Sequence, residues 1–177
     1  MSEATELQAE ALHLQRSARV VGNPRILVID DEAAIRESLD TLLNLEGFTV
    51  SSAIDGPSGL DMLARNEYDL LLLDLALPGE SGIDLLPRIV EMQPNLPVIM
   101  ITAFGTVGNV VDAIRAGAEN FVQKPWDNEK LLADIRTAIA RHRVEAEVVQ
   151  LTRPLKQQSP IEDIVDPHDT PIRPFTQ

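Results

Sequence analysis

Five short apolar runs alternate with segments of helical periodicity between residues 24 and 142, and this alternation limits the fold more than any other feature. Arg25–Ile29 is continuously apolar after its first residue, which suits a strand covered on both faces. Ile35, Leu39, Leu42 and Leu43 follow at helical spacing, and Gly47 supplies a stop. Phe48–Ala53 reads as a second strand, and Pro57 suits the first turn of a helix reaching about Arg65. Asp69–Asp74 is a third strand, wholly leucine inside, followed by a helix from about Gly82 to Met92. Leu96–Thr102 is a fourth strand, with Pro97 at its start, where a missing donor costs least. Val107, Val110, Val111 and Ile114 mark a fourth helix ending at Gly117, and their spacing predicts a core-facing side. Asn120–Gln123 is a fifth strand, and Leu131, Leu132, Ile135 and Ile139 mark a fifth helix running to about Gln150.

Strands that alternate with helices imply a parallel sheet with right-handed crossovers and helices on both faces, a doubly wound α/β domain. In such folds ligands sit at the carboxyl ends of the strands, where the strand order reverses. Outside residues 24–142 the pattern changes. Residues 1–23 form a leader, in which Leu7, Ala11, Leu14 and Ala18 lie on one face of an amphipathic helix; a disordered leader fits as well. Residues 143–177 read as a helix extension, with Val144, Val148 and Leu151 as a possible dimerising stalk, and then a disordered linker or tail. Five of the twelve prolines fall in the last 27 residues.

Composition excludes several chemistries. The chain has no cysteine, so thiolate metal sites and Cys nucleophiles are ruled out. A net charge of −13 disfavours direct binding to nucleic acid. No apolar run approaches the ~20 residues of a membrane span, and Glu3, Glu6 and Glu10 interrupt any signal-peptide pattern. The expectation is a cytoplasmic protein with no membrane partner.

Polar residues cluster where the strands end. Asp30 and Asp31 follow the first strand, Asp74 ends the third, Thr102 ends the fourth and Lys124 follows the fifth. One such residue is simply where a loop begins, whereas five that converge by topology indicate a built site. Carboxylates ~4 Å apart repel by about 4 kcal/mol at an effective dielectric near 20, so either a pKa rises or a divalent cation sits among them. Oxygen ligands without histidine or cysteine suit Mg²⁺. His13, His142 and His168 lie far from this edge in sequence, which argues against zinc. A carboxylate beside Mg²⁺, an ammonium and a hydroxyl can act as a nucleophile toward phosphorus.

Four stretches carry a family resemblance: Leu27-Val28-Ile29-Asp30-Asp31-Glu32, Leu71-Leu72-Leu73-Asp74-Leu75-Ala76-Leu77-Pro78-Gly79, Ile101-Thr102-Ala103-Phe104-Gly105 and Phe121-Val122-Gln123-Lys124-Pro125. In order and spacing they resemble the signatures of two-component response-regulator receiver domains over residues 24–142. Thr-Ala-Phe-Gly-Thr with the later Ala116-Gly117-Ala118 is most similar to receivers of NtrC-type transcriptional activators. The resemblance implies a flavodoxin-like (β/α)5 sheet in the order 2-1-3-4-5. It implies that Asp74 accepts a phosphoryl group from the phosphohistidine of a sensor histidine kinase. Asp31, Asp74 and the backbone carbonyl of Ala76 would hold Mg²⁺, with Asp30 acting through water. Lys124 would pair with Asp74 and then with the phosphoryl group, aimed by a cis Lys124–Pro125 peptide. Thr102 and Phe121 would be the switch pair, and the small Ala103 would leave room for the donor. Phe121 replaces the commoner tyrosine, and Trp126, the sole tryptophan, replaces a commoner phenylalanine.

The implied output is a surface on the fourth helix, fifth strand and fifth helix, where phosphorylated receivers often form homodimers in transcriptional regulation. Asp112, Glu119, Asp134, Arg136, Arg141 and Arg143 supply both charge signs there. Two other functions compete with this one. An Asp-nucleophile phosphohydrolase needs a second acid two residues after the nucleophile, and Ala76 stands there. A phosphorylation-independent interaction module would have no use for the complete Asp, Thr and Lys set. The receiver reading is of a switch rather than a turnover enzyme. NtrC-type activators continue into an ATPase, and this sequence holds no G-x-x-x-x-G-K-[ST] loop. Whether the chain is a single-domain regulator or part of a longer one stays open.

Overall fold

A computed structural model describes residues 22–152. The leader helix and the proline-rich tail expected from the sequence lie outside the described residues, except for Gly22 and Asn23 at the leader's end and Leu151 and Thr152 at the tail's start. Contacts divide the chain into Met1–Arg143 and Val144–Gln177.

In the first unit the chain runs β1 (Arg25–Ile29), α1 (Ala33–Leu45), β2 (Thr49–Ala53), α2 (Gly56–Arg65) and β3 (Leu70–Asp74). It continues through β4 (Ala76–Leu77), β5 (Glu80–Ser81), α3 (Gly82–Met92), β6 (Val98–Thr102), α4 (Val107–Ala116), β7 (Asn120–Gln123) and α5, which begins at Asn128. The main sheet has the order β2-β1-β3-β6-β7, all parallel. This is the expected five-stranded order; the β4–β5 hairpin only shifts the numbering. The fold is flavodoxin-like, as expected.

Alternate residues of the central strands feed two cores. Leu27, Ile29, Leu71, Leu73 and Met100 pack under α2, α3 and α4, through side chains such as Leu63, Leu85 and Ala113. Ile26, Val28, Leu70, Leu72 and Ile99 pack under α1 and α5, through Leu39, Leu43, Leu131 and Ile135. Both faces are covered, which is why these strands read as continuous apolar runs rather than alternating ones. Burial of such side chains contributes about 1.5–3 kcal/mol each relative to exposure.

Local chemistry sets the helix ends. Asp55 caps α2 by accepting from the Ser58 N–H at 2.8 Å, with Pro57 in the first turn. Ser81 caps α3, and the Thr106 hydroxyl caps α4 by accepting from Asn109 N–H. The hairpin was not foreseen from sequence. Its turn is Pro78-Gly79, and Gly79 has φ +74°, the pattern of a type II turn with proline first and glycine second.

One expectation fails. The apolar residues of α4 do not all face a core. Val107, Val111 and Ile114 are exposed, at 82%, 41% and 47%, and only Ala113 of this helix is fully buried. An apolar periodicity identifies a helix face but does not say what covers it.

The second unit is helical as far as it is described, because α5 (Asn128–Thr152) carries on past its start, two residues beyond the expected end. Val144 and Leu151 there are exposed.

Candidate functional site

The strand order reverses between β1 and β3, and the carboxyl ends of these strands hold Asp30 and Asp74. Both are buried, Asp30 at 2% exposure and Asp74 at 4%. Asp31, next in the β1–α1 loop, is exposed. One carboxylate oxygen from each of the three lies within 4.8 Å of the others. Asp30 Oδ1 accepts from the Glu32 N–H at 2.8 Å, and Asp74 Oδ1 accepts from the Ala76 N–H at 3.3 Å. These bonds fix the rotation of both carboxylates. Ala76 is thereby held beside Asp74, at the start of β4.

Lys124 reaches into this cluster from the end of β7. Its Nζ lies 2.8 Å from Asp30 Oδ2, 3.1 Å from Glu32 Oε1 and 3.3 Å from Asp74 Oδ2. The Lys124 N–H also donates to the Thr102 carbonyl at 2.8 Å, tying the ends of β6 and β7 together. The Lys124–Pro125 peptide is cis. Thr102 is fully buried, and its hydroxyl accepts from the Phe104 N–H at 3.1 Å.

Three carboxylates contact one ammonium and a fourth, Asp31, lies beside two of them, an excess of negative charge. Burial, and next the charge of Asp30, push the Asp74 carboxyl up to about 6 against the pull of Lys124 and the Ala76 N–H. For Lys124, burial works to lower the pKa. Its bonds to Asp30 and Glu32 and the charges of Asp74 and Asp30 outweigh that, and the ammonium is held above its ordinary range. Three carboxylates in reach of one point, with oxygen donors only, fit a hard divalent cation.

Ala103, Glu32, Ile35, Lys124 and Trp126 line a cleft of about 500 Å³ beside the cluster. Phe121 is half-buried within β7. With Val110, Trp126 and Asp134 it lines a second cleft of about 320 Å³. The Trp126 ring borders both clefts, and its Nε1 donates to Asn128 Oδ1 at 3.0 Å.

Residues 26–136 match the response regulator receiver domain. The chain belongs to this family. The receiver is 38% identical over 130 residues to response regulator MprA of Mycobacterium avium, across 72% of this chain and 57% of that protein. It is similar to the CheY-like receiver domain protein of Methanospirillum hungatei, with a TM-score of 0.68 and 31% identity over 70% of this chain and 99% of that one. NtrX of Brucella abortus, an NtrC-type protein, matches with a TM-score of 0.69 and 35% identity, over 72% of this chain and 29% of that one. The chain spans about half the length of the curated relatives it matches, 57% of MprA and 50% of the transcriptional regulatory protein DltR of Streptococcus agalactiae.

Asp30, Asp31, Asp74, Ala76, Thr102, Ala103, Lys124 and Pro125 lie on this carboxyl edge or in the loops beside it, whereas Phe121 lies within β7, paired with Met100 of β6. Three contributors were missed. Glu32 is an ion-pair partner of Lys124. Arg36 donates to the Asp30 carbonyl at 2.8 Å. Gly82 packs against the Asp74 backbone. Only Glu32 left a sequence signal, as a third consecutive acid at a strand end. On the expected output face, three of the named charges, Arg136, Arg141 and Glu119, are already paired within the receiver. Arg136 pairs with Glu46 at 2.7 Å and Arg141 with Glu119 at 2.9 Å.

Proposed function

We propose that the receiver takes a phosphoryl group from the phosphohistidine of a sensor histidine kinase onto Asp74. The observation that carries this reading is the convergence of the Lys124 ammonium and two further aspartates, Asp30 and Asp31, on the Asp74 carboxylate. With a pKa raised only to about 6, Asp74 is ionised at neutral pH and free to attack. Its oxygen forms a bond to phosphorus as the phosphorus–nitrogen bond of the donor breaks, and the departing imidazole takes a proton. The product is an acyl phosphate. Mg²⁺, held by Asp30, Asp31, Asp74 and the Ala76 carbonyl, would neutralise charge on the phosphoryl oxygens. Lys124 gives up part of its contact with Asp74 and bonds the incoming phosphoryl group.

The Thr102 hydroxyl supplies a further hydrogen bond to that group, and Phe121 repacks into the space this movement opens. The readout is the surface of α4, β7 and α5. Exposed Val107, Val111 and Ile114 give it apolar area that a second copy covers, in a phosphorylation-dependent homodimer controlling transcription. The receiver is a cytoplasmic switch in this scheme, not a turnover enzyme.

Intact mass after incubation with acetyl phosphate and Mg²⁺ tests the chemistry. The expected result is one added phosphoryl group on the wild type, none on Asp74→Asn, and a change in Trp126 fluorescence with the wild type alone. An adduct of equal yield on both proteins sinks the assignment of Asp74. Mg²⁺ should also stabilise the fold. At ten times its dissociation constant the gain is about 1.4 kcal/mol, a rise in melting temperature of roughly 5 °C. An unchanged melting temperature at saturating Mg²⁺ argues against the aspartate cluster as its site.

A further inference from the structure

Glu32 occupies the N-cap position of α1, yet its side chain makes no capping bond. Glutamate is not a favoured N-cap residue. Its Oε1 instead lies 3.1 Å from Lys124 Nζ, 92 positions away in sequence. Asp30 and Lys124 are buried at this contact, with side chains 3% and 8% exposed, whereas the Glu32 side chain is 57% exposed. Lys124 therefore stands between a buried carboxylate and one at the rim of the pocket.

We infer that Glu32 is a positioning residue that receives the Lys124 ammonium when a divalent cation occupies Asp30, Asp31 and Asp74. This rests on the cation reading given above. Asp30 Oδ1 is bonded to the Glu32 N–H, so Oδ2 is the oxygen freest to face a cation or its water, and Lys124 holds it at 2.8 Å. Asp74 Oδ2, at 3.3 Å, meets the same conflict. A cation at these oxygens repels the ammonium. Glu32 is the one anionic partner of Lys124 outside the aspartate cluster among the described residues. Moving toward it keeps a charge-assisted bond and releases Asp30. The ammonium stays at the rim of the cleft that Glu32 and Ala103 line.

Mg²⁺ titration of the full chain, read by Trp126 fluorescence and by calorimetry, tests this. Glu32→Gln is expected to weaken Mg²⁺ about tenfold, because Lys124, without this outer partner, stays on Asp30 and Asp74 and competes with the cation. Glu32→Asp keeps the charge but is one methylene too short to reach Lys124, so it should weaken Mg²⁺ by a similar factor. In a Lys124→Met background, Glu32→Gln should have little further effect. A Glu32→Asp affinity nearer to wild type than to Glu32→Gln overturns the inference and leaves simple charge attraction. So does an equal effect of Glu32→Gln in both backgrounds. If Lys124→Met fails to fold, the Glu32→Asp comparison decides alone. Failure of the wild type to bind Mg²⁺ is a distinct result, which overturns the cation reading itself along with this inference.

Discussion

Gly82→Ala is expected to destabilise the receiver by about 3 kcal/mol, against the usual sign of a glycine-to-alanine change in a helix. Alanine ordinarily gains about 0.5–1 kcal/mol there, because glycine loses more backbone freedom on folding. At Gly82 a methyl group would stand 2.2 Å from the Asp74 carbonyl oxygen and 3.0 Å from Met100 Cε. The methionine can rotate away. The carbonyl belongs to the end of β3 and can move only if the strand or α3 moves. The Gly82 N–H resists such a shift, because it donates to the Leu75 carbonyl at 2.7 Å. Overpacking against a backbone atom therefore outweighs the propensity gain. Urea unfolding should show a lower midpoint with an unchanged slope. Gly108→Ala is the control. It lies in α4, where an added methyl meets nothing closer than Thr106 Oγ1 at 3.9 Å, and it should be neutral or slightly stabilising. Equal stability of Gly82→Ala and wild type would show that α3 is not held against β3 as closely as described.

Asp74→Asn is expected to stabilise the cation-free receiver at pH 7 by about 2 kcal/mol, or roughly 8 °C in melting temperature. The carboxyl titrates near 6 in the folded protein and near 3.8 in the unfolded chain. Between about pH 4 and pH 6 the folded state holds a proton that the unfolded chain has released. The contribution of this group is full below pH 4, falls as pH rises through that window, and is lost above it. Asparagine carries no charge at any pH, so the variant should lose this decline, while Lys124 keeps Asp30 and Glu32 as partners. Melting curves from pH 4 to 7 in a chelator would show the two proteins converging at the acid end. A constant difference across the range would mean that the charge of Asp74 is not what strains the pocket.

These two substitutions probe features of different legibility. The aspartate and lysine positions could be read because each lies at the end of an apolar run, and strand ends in a doubly wound sheet converge. The five strands and the five helices followed from the same alternation, since a strand buried on both faces leaves a continuous apolar run, and the strand order was implied by the family resemblance. The family pattern in the four motif stretches then assigned a role to each converging side chain. The β4–β5 hairpin was less visible, because two-residue strands carry no periodicity and only Pro78-Gly79 marks the turn.

The sequence by itself determined the architecture of this protein and the residue types at its carboxyl edge, because both depend on local pattern and on a topology with few alternatives. Only the tertiary structure decided which charges meet. It brought Glu32 to Lys124 across 92 positions, and it paired Arg136 with Glu46 and Arg141 with Glu119. It left one side of α4 uncovered although its periodicity matched that of a buried helix. It also set α3 so close to β3 that residue 82 has no room for a side chain. Distances between elements remote in the chain arise from how two cores fill on either side of one sheet, and no local pattern of residues encodes them.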